Sequence, residues 1–424
     1  MKRILPLLLS LLLLTGCASN QPGQYPDGVP SSLTAVRWPE APHAEDYDAQ
    51  RSLRADVTPE QLESLNRFAV NSAKVILGNR PQTENCLYSP VSLYFALSML
   101  ASITGGDTQA QILSALASDE AMLEHTGALY RFLYRDDEYT RLFLANSAWM
   151  EKSVAETCNQ DALTDLAQIH YAELFPVDFQ DAAAGEAMGQ WVSQNTNGLL
   201  GEALQVSPET LLSLLNTVYF RSEWMSAFQE SATAPGVFHN GDGTESQCDF
   251  MNKTMDGSFF RNDVFTAASL SLKSGAVTFL LPGEGLRPSD VLASPSWEAL
   301  VKDQLESTGY GEVVLKVPKL DYSDSLDLLD AAKALGIQAA FDPMAADFSP
   351  LCSDPLFVSA IRQESALTMD EKGVEAASYT QIDVTGASMP TDQAELILDR
   401  PFLFVIRAEG AAPLFVGIVN TMAQ

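Results

Sequence analysis

Asp370-Glu371-Lys372-Gly373-Val374-Glu375-Ala376-Ala377-Ser378-Tyr379-Thr380 opens the stretch whose reading decides the fold. It starts as a turn and continues in small residues. A polar run follows through Asp383, Gly386, Ser388, Pro390 and Asp392, until apolar sequence resumes at Leu396. The stretch has neither a helical period nor a core pattern. A loop of roughly 20 residues inside a compact body is either functional or disordered. Side chains alternate faces along an extended chain, so Val374, Ala376, Ser378 and Thr380 share one face and Glu375, Ala377, Tyr379 and Gln381 the other. The first set is small or β-branched and holds no charge or proline, so this segment can enter a sheet. A passive linker would place charges and prolines without regard to parity.

Outward from that loop the chain alternates its patterns in blocks. Thr58-Pro59-Glu60-Gln61 is a helix start, with Thr58 as N-cap and Gln61 reaching back, and Leu62, Leu65, Phe68 and Ile76 recur at helical spacing. Ser89-Pro90 opens a second helix carrying Leu93, Leu97 and Leu100 on one face. Leu214 to Phe220, Val277 to Leu281 and Val313 to Val317 read as strands. Ser325 to Leu335 reads as a short helix closed by Gly336, and Phe402 to Val419 as a buried hairpin. Helices first and strands later, without βαβ alternation, predict an α+β fold.

The N-terminus reads as an export signal at residues 1–16. Lys2 and Arg3 precede an apolar run of 11 residues from Ile4 to Leu14, too short to span a bilayer. Leu14-Thr15-Gly16-Cys17 resembles a bacterial lipobox, in which cleavage precedes the cysteine and Cys17 carries the lipids. Several acyl chains anchor stably at about 0.8 kcal/mol per buried CH₂. The alternative is an ordinary secretory signal with an incidental cysteine. Ala18 follows, with no Asp to suggest inner-membrane retention. Residues 17–56 are rich in Pro, Gly, Ser, Asp and Glu and are expected to be a flexible tether, leaving 57–424 as the folded body displayed at the cell surface.

The 424 residues are 46% apolar and 19% charged, which is globular composition. A formal charge of −30 repels phosphate backbones and argues against nucleic-acid binding. Cys86, Cys158, Cys248 and Cys352 are irregularly spaced with no C-x-x-C pair, so free buried thiols are expected rather than a disulfide framework. His43, His125, His170 and His239 have no neighbours at metal-ligand spacing and read as solvated or incidental. Gly309-Tyr310-Gly311 lacks the third glycine of a dinucleotide loop and is expected to turn. Asn240-Gly241-Asp242-Gly243 reads as a hairpin turn rather than a calcium loop. No G-x-S-x-G, H-E-x-x-H or P-loop occurs, so neither an enzyme nor a cofactor or metal is expected.

Five ordered motifs over roughly 370 residues carry a family resemblance. Glu371-Lys372-Gly373-Val374-Glu375-Ala376-Ala377-Ser378 looks like the hinge of a serpin reactive-centre loop. Asn85 and Ser89-Pro90-x-Ser92 resemble that family's early shutter motif, and Asn216-Thr-Val-Tyr-Phe-Arg-Ser-Glu-Trp224 its strand running from shutter to breach. Val317-Pro318-Lys319-Leu320 with Leu335-Gly336-Ile337 and Ala346-Asp347-Phe348-Ser349, and then Arg400-Pro401-Phe402-Leu403-Phe404, match as well. The resemblance implies helices around a large mixed β-sheet with two smaller sheets, and a reactive-centre loop at about 373–395. One large domain then replaces the two or three that length alone suggests.

It also implies a suicide inhibitor of serine proteases, acting as a monomer. The family's hinge-to-cleavage spacing of fourteen residues, carried from Gly373, puts the reactive bond at Ala387–Ser388. That segment spans about 46 Å when extended. Ala387 suits an elastase- or subtilisin-like pocket, and Met389 is the competing choice and would also admit chymotrypsin-like proteases. No arginine occurs from Gln381 to Leu398, which argues against trypsin-like targets. Two positions depart from the family. Val374 stands where Thr is usual, and Gln363 stands where a shutter histidine is usual, from which it can donate to Asn216 or Ser89 without pH sensitivity. The alternatives are a non-inhibitory serpin serving as a binding or scaffold lipoprotein, a solute-binding lipoprotein, and inhibition of cysteine proteases through the same loop.

Overall fold

Thr58 caps its helix as the pattern predicts: its Oγ1 accepts from Gln61 N (3.2 Å) while Gln61 Oε1 accepts from Thr58 N (2.9 Å), and the helix runs Pro59–Leu77. Ser89 caps the next, Pro90–Ser102, which is apolar nearly all round and therefore buried along almost its whole length. The computed structural model describes residues 25, 27–43, 45–78, 80–374, 392–408 and 413–422. Its strands in chain order are β1 (Cys86–Tyr88), β2 (Arg135–Asp136), β3 (Thr140–Glu151), β4 (Ala172–Val177), β5 (Leu212–Glu223), β6 (Ala234–His239), β7 (Glu245–Arg261), β8 (Phe265–Leu272), β9 (Gly275–Pro282), β10 (Gly309–Pro318), β11 (Leu320–Asp327), β12 (Ala360–Met369), β13 (Gly373–Val374), β14 (Asp392–Ile397), β15 (Phe402–Arg407) and β16 (Pro413–Val419).

The central sheet is ordered β11-β12-β13-β5-β3-β2, with β4 beside β3. Its even-numbered β3 and β5 side chains, among them Leu142, Leu144, Leu214 and Val218, face the main core with the Pro90–Ser102 helix. Ala145, Trp149 and Leu215 face the other way, under the Ala183–Asn195 helix. Both faces are covered, which is why β5 reads as a continuous apolar run. The remaining strands form two smaller sheets joined through the long β7 into one path, β1-β16-β15-β9-β8-β7-β10-β14 with β6 on β7. The loop therefore leaves the central sheet at β13 and rejoins the body at β14, which pairs in parallel with β10. Among the described residues no helix is long and apolar enough to cross a membrane.

Four local expectations are corrected. Ser325 to Asp327 belong to β11 rather than to a helix, which begins at Leu329; the β12 ladder claims them through Ser325↔Glu364 and Asp327↔Arg362. Gly309 and Gly311 lie in β10 rather than a turn: a Cβ on Gly311 would meet Asp392 O at 1.9 Å, so glycine admits the close approach of β14. The expected tether is laid on the body over much of its length. Leu33 N donates to Leu174 O (2.7 Å) and Thr34 Oγ1 to Ala172 O (2.9 Å), so this arm covers the open edge of β4. Tyr25 stacks edge-on against Phe175, Val36 and Trp38 pack on the core, and Tyr47–Ala55 is a helix. Asn240 to Gly243 do form the β6–β7 hairpin turn, with Asn240 N donating to Thr244 O (2.8 Å). His170 is buried rather than solvated.

Candidate functional site: hinge, breach and shutter

Asp370 makes the turn that redirects the chain. Its Oδ1 accepts from Lys372 N (2.8 Å) and Gly373 N (3.2 Å), and its N donates to Gly373 O (2.9 Å). The turn is held from β5 by Trp224, whose Nε1 donates to Asp370 O (2.9 Å) and whose N donates to Lys372 O (3.0 Å). Phe228 packs edge-on against that indole and donates its N to Glu371 O (2.8 Å). Glu371 receives Thr233 Oγ1 at 2.7 Å and Lys319 Nζ at 3.0 Å. Burial opposes its ionisation, but these two partners outweigh that and hold the carboxyl below its ordinary range. Lys319 and Thr233 are functional neighbours that the sequence did not single out; Lys319 lies in a quoted motif, but only the fold brings it to Glu371.

Gly373 and Val374 then enter the sheet as β13. Gly373 pairs with Glu223, and Val374 with Ser222 on one side and Met369 on the other. A Cβ on Gly373 would stand 2.3 Å from Ser222 O, so only glycine fits this entry. Val374 is 1% exposed. Below it β12 and β5 are paired directly and in parallel, from Ala360↔Ser213 to Ser365↔Val218. Among the described residues Ala366–Thr368 and Tyr219–Arg221 are not paired with one another. The sheet is thus splayed at its top with the hinge as a wedge. Glu375, Ala376, Ala377, Ser378, Ala387, Ser388 and Met389 lie outside the described residues, as does Cys17.

At the level of the shutter, Asn146, Asn216 and Gln363 form one row across β3, β5 and β12. Gln363 clamps Ser89 in both directions: Ser89 N donates to its Oε1 (2.7 Å) and its Nε2 donates to Ser89 O (2.9 Å). It thereby joins β12 to the start of the Pro90–Ser102 helix, and the donation goes to Ser89 rather than to Asn216. Asn216 Nδ2 donates to Ser92 O (3.3 Å), and Ser92 N to Ser89 Oγ (3.3 Å). Ser92 Oγ, Asn146 Nδ2 and Asn216 Oδ1 are buried and have no hydrogen-bond partner among the described residues. Asn146 was missed, although a lone amide in the inward register of Leu-Ala-Asn-Ser-Ala-Trp could have flagged it. Asn85 is not brought to this row. Its amide closes on the C-terminal segment, accepting from Asn420 N (2.8 Å) and Thr421 N (3.0 Å) and donating to Thr421 O (2.9 Å). It lies just before β1, whose partner is β16, so pairing draws it to the chain end.

A central sheet parted at one end by the base of a loop from its own chain, with a clamped breach above and a polar row below, defines the class of fold. The model of the family described as serpin (serine protease inhibitor) matches residues 63–422, and the chain belongs to that family. It is 32% identical over 376 residues to an alpha-1-antitrypsin-like protein of Tamias sibiricus, covering 85% of this chain and 88% of that one. The native-state structure of the thermophilic serpin tengpin superposes with a TM-score of 0.80 at 22% identity, over 93% of this chain and 100% of that one. Human thyroxine-binding globulin in complex with thyroxine gives a TM-score of 0.77 at 26% identity, over 86% and 99%. The fold is the serpin fold, and the family consists generally of protease inhibitors rather than catalysts.

Proposed function

We propose that this chain is a suicide-substrate inhibitor of extracellular serine proteases, with elastase- or subtilisin-like targets, cleaved at Ala387–Ser388 with Met389 as the alternative site. The observation that carries the reading is the hinge wedge and its register. The pairings of Val374 with Ser222 and Met369 agree with the parallel pairing of β12 and β5 beneath. Continued one residue at a time, an inserted strand would have Thr380 between Asn216 and Gln363 and Asp383 between Ser213 and Ala360. Val374, Ala376, Ser378, Thr380, Ile382 and Val384, all uncharged, would then face the core. Glu375 would fall beside Arg221, which is paired with Arg141, and Asp383 diagonally from Arg362. Both charges from Glu375 to Val384 would lie on the side that tolerates them.

The target's serine oxygen would attack the Ala387 carbonyl, releasing the Ser388 amine and leaving an acyl-enzyme. The severed strand would enter antiparallel to both neighbours, exchanging one parallel ladder for two antiparallel ones. Thr380 would bring a hydroxyl to the row of unpaired amides, and each such buried orphan costs about 1–3 kcal/mol while it lasts. Ala387 would follow the strand past the lower end of the sheet, carrying the protease with it. The native fold is then held by a barrier rather than by being most stable. Lipid on Cys17 after export is the proposed anchor, and a monomer the proposed state.

Mixing the protein with elastase, subtilisin, chymotrypsin and trypsin, followed by denaturing gels, tests the reading. A boiling-resistant band near the summed masses is expected with the first two, and mass spectrometry of the released peptide should start at Ser388. Clipping without a complex, and without any gain in heat resistance, would overturn it in favour of a non-inhibitory binding role, the alternative for a chain like this one.

A further inference from the structure

Cys158 and Cys352 are 194 positions apart and meet at the lower end of the central sheet. They oppose each other in an isolated antiparallel bridge. Asn159 N donates to Leu351 O (2.7 Å) beside them, which makes this the closely spaced type of antiparallel pair. In that type the Cα atoms are about 4.5 Å apart, within the range a disulfide requires, and both side chains leave on the same face. Thr157 Oγ1, donating to Asp354 Oδ2 at 2.9 Å, ties the same two segments again. Both thiols are free, Cys158 half-buried and Cys352 buried. Cys158 hangs from β3 through the Lys152–Ala155 helix, and Cys352 lies in the lead-in to β12.

Those two attachments lie on opposite sides of the entry line. β3, β4 and β5 form one block, β11 and β12 the other, and an inserted strand must part β5 from β12 from one strand spacing to two, roughly 4.8 to 9.6 Å. A hydrogen-bonded bridge can give way to that motion; a covalent one cannot. We propose that Cys158 and Cys352 form a reversible disulfide that latches the lower end of the sheet, so that the reduced protein completes loop insertion and the oxidised protein stops short and is spent as a substrate. The proposal rests on the inhibitory reading above.

The chemistry is exchange with a small-molecule disulfide, the oxidant class available outside the cytoplasm. The Cys158 thiolate attacks one sulfur of the small disulfide and expels the other half as a thiol. The Cys352 thiolate then displaces the second half, so two protein thiols are oxidised, one small disulfide becomes two thiols, and the two protons pass to them. Burial raises both thiols, Cys158 to about 11, so the latch should close slowly near neutrality and about tenfold faster per pH unit above it.

The test uses the protein equilibrated with dithiothreitol or with oxidised glutathione, then alkylated and digested for mass spectrometry. Cross-linked Cys158–Cys352 peptides are expected only in the oxidised sample. Against elastase on non-reducing gels, that sample should give at least fivefold less covalent complex and correspondingly more clipped inhibitor. Cys158→Ser and Cys352→Ser should trap equally well in both conditions. Heat resistance after clipping separates the two readings. If the reduced protein gains none, the inhibitory reading fails and takes the latch with it. If reduced and oxidised proteins gain it equally, or the cross-link never forms, the latch alone is overturned.

Discussion

Glu371 holds the turn before the hinge through one ion pair and one hydroxyl bond. Glu371→Gln keeps the hydroxyl partner and loses the charge, so the apparent unfolding temperature should fall by about 1–2 °C, a loss of about 1 kcal/mol. Differential scanning calorimetry at pH 7 checks this. Because the folded carboxyl is held low, its contribution is present above the unfolded value and is lost as pH falls through the folded one, so the gap between variant and wild type should close in acid. His170 works with the opposite charge and the same sense. Burial drives its pKa down to about 4, and both ring nitrogens are without partners among the described residues. The unfolded chain takes up the proton near pH 6.5, so stability present above that value drains as pH falls toward 4. Between pH 7.5 and 5 the wild type should lose about 2 kcal/mol that His170→Leu does not, read from denaturant midpoints. A histidine with no motif around it looked incidental in the sequence; burial is a property of the fold and left no local trace.

At the scale of elements, the legible parts were those whose signal is local. The Thr58 and Ser89 caps and the β6–β7 turn depend on residues a few positions apart. The errors all came from partners far away in sequence: β12 claimed Ser325 to Asp327, β14 pressed on Gly311, and the chain end captured Asn85. The docked arm is the largest of these, because Pro- and Gly-rich sequence gives no sign of a distant strand edge. Removing residues 18–43 exposes that edge together with the surfaces under Val36 and Trp38. A loss of about 3–5 kcal/mol and a fall of about 4–7 °C in apparent unfolding temperature are expected. On the proposed inhibitory reading, the element that would decide function is the gap between β5 and β12. An Ala376→Arg substitution would put a charge on its core face, so the protease should cleave as fast while the covalent complex falls at least tenfold, measured by gel densitometry.

For the whole molecule, the proposed inhibitory reading requires the splayed sheet to have a more stable, loop-inserted neighbour that it does not reach while the loop is intact. Clipping the loop with a protease too slow to be trapped should raise the apparent unfolding temperature by at least 10 °C, visible by circular dichroism. That expectation draws on the register, the uncharged inner face and the unpaired amides together. The docked arm has one more consequence. Had residues 17–56 hung free, the body could have ranged about 130 Å from an anchor at Cys17. With Tyr25 packed on Phe175 and Ser32 to Thr34 bonded to β4, the proposed lipid on Cys17 would be at most about 28 Å of chain from the body. Each molecule would guard only the membrane patch beneath it, and coverage of a cell would depend on how densely the molecules are planted, not on how far any one of them can swing.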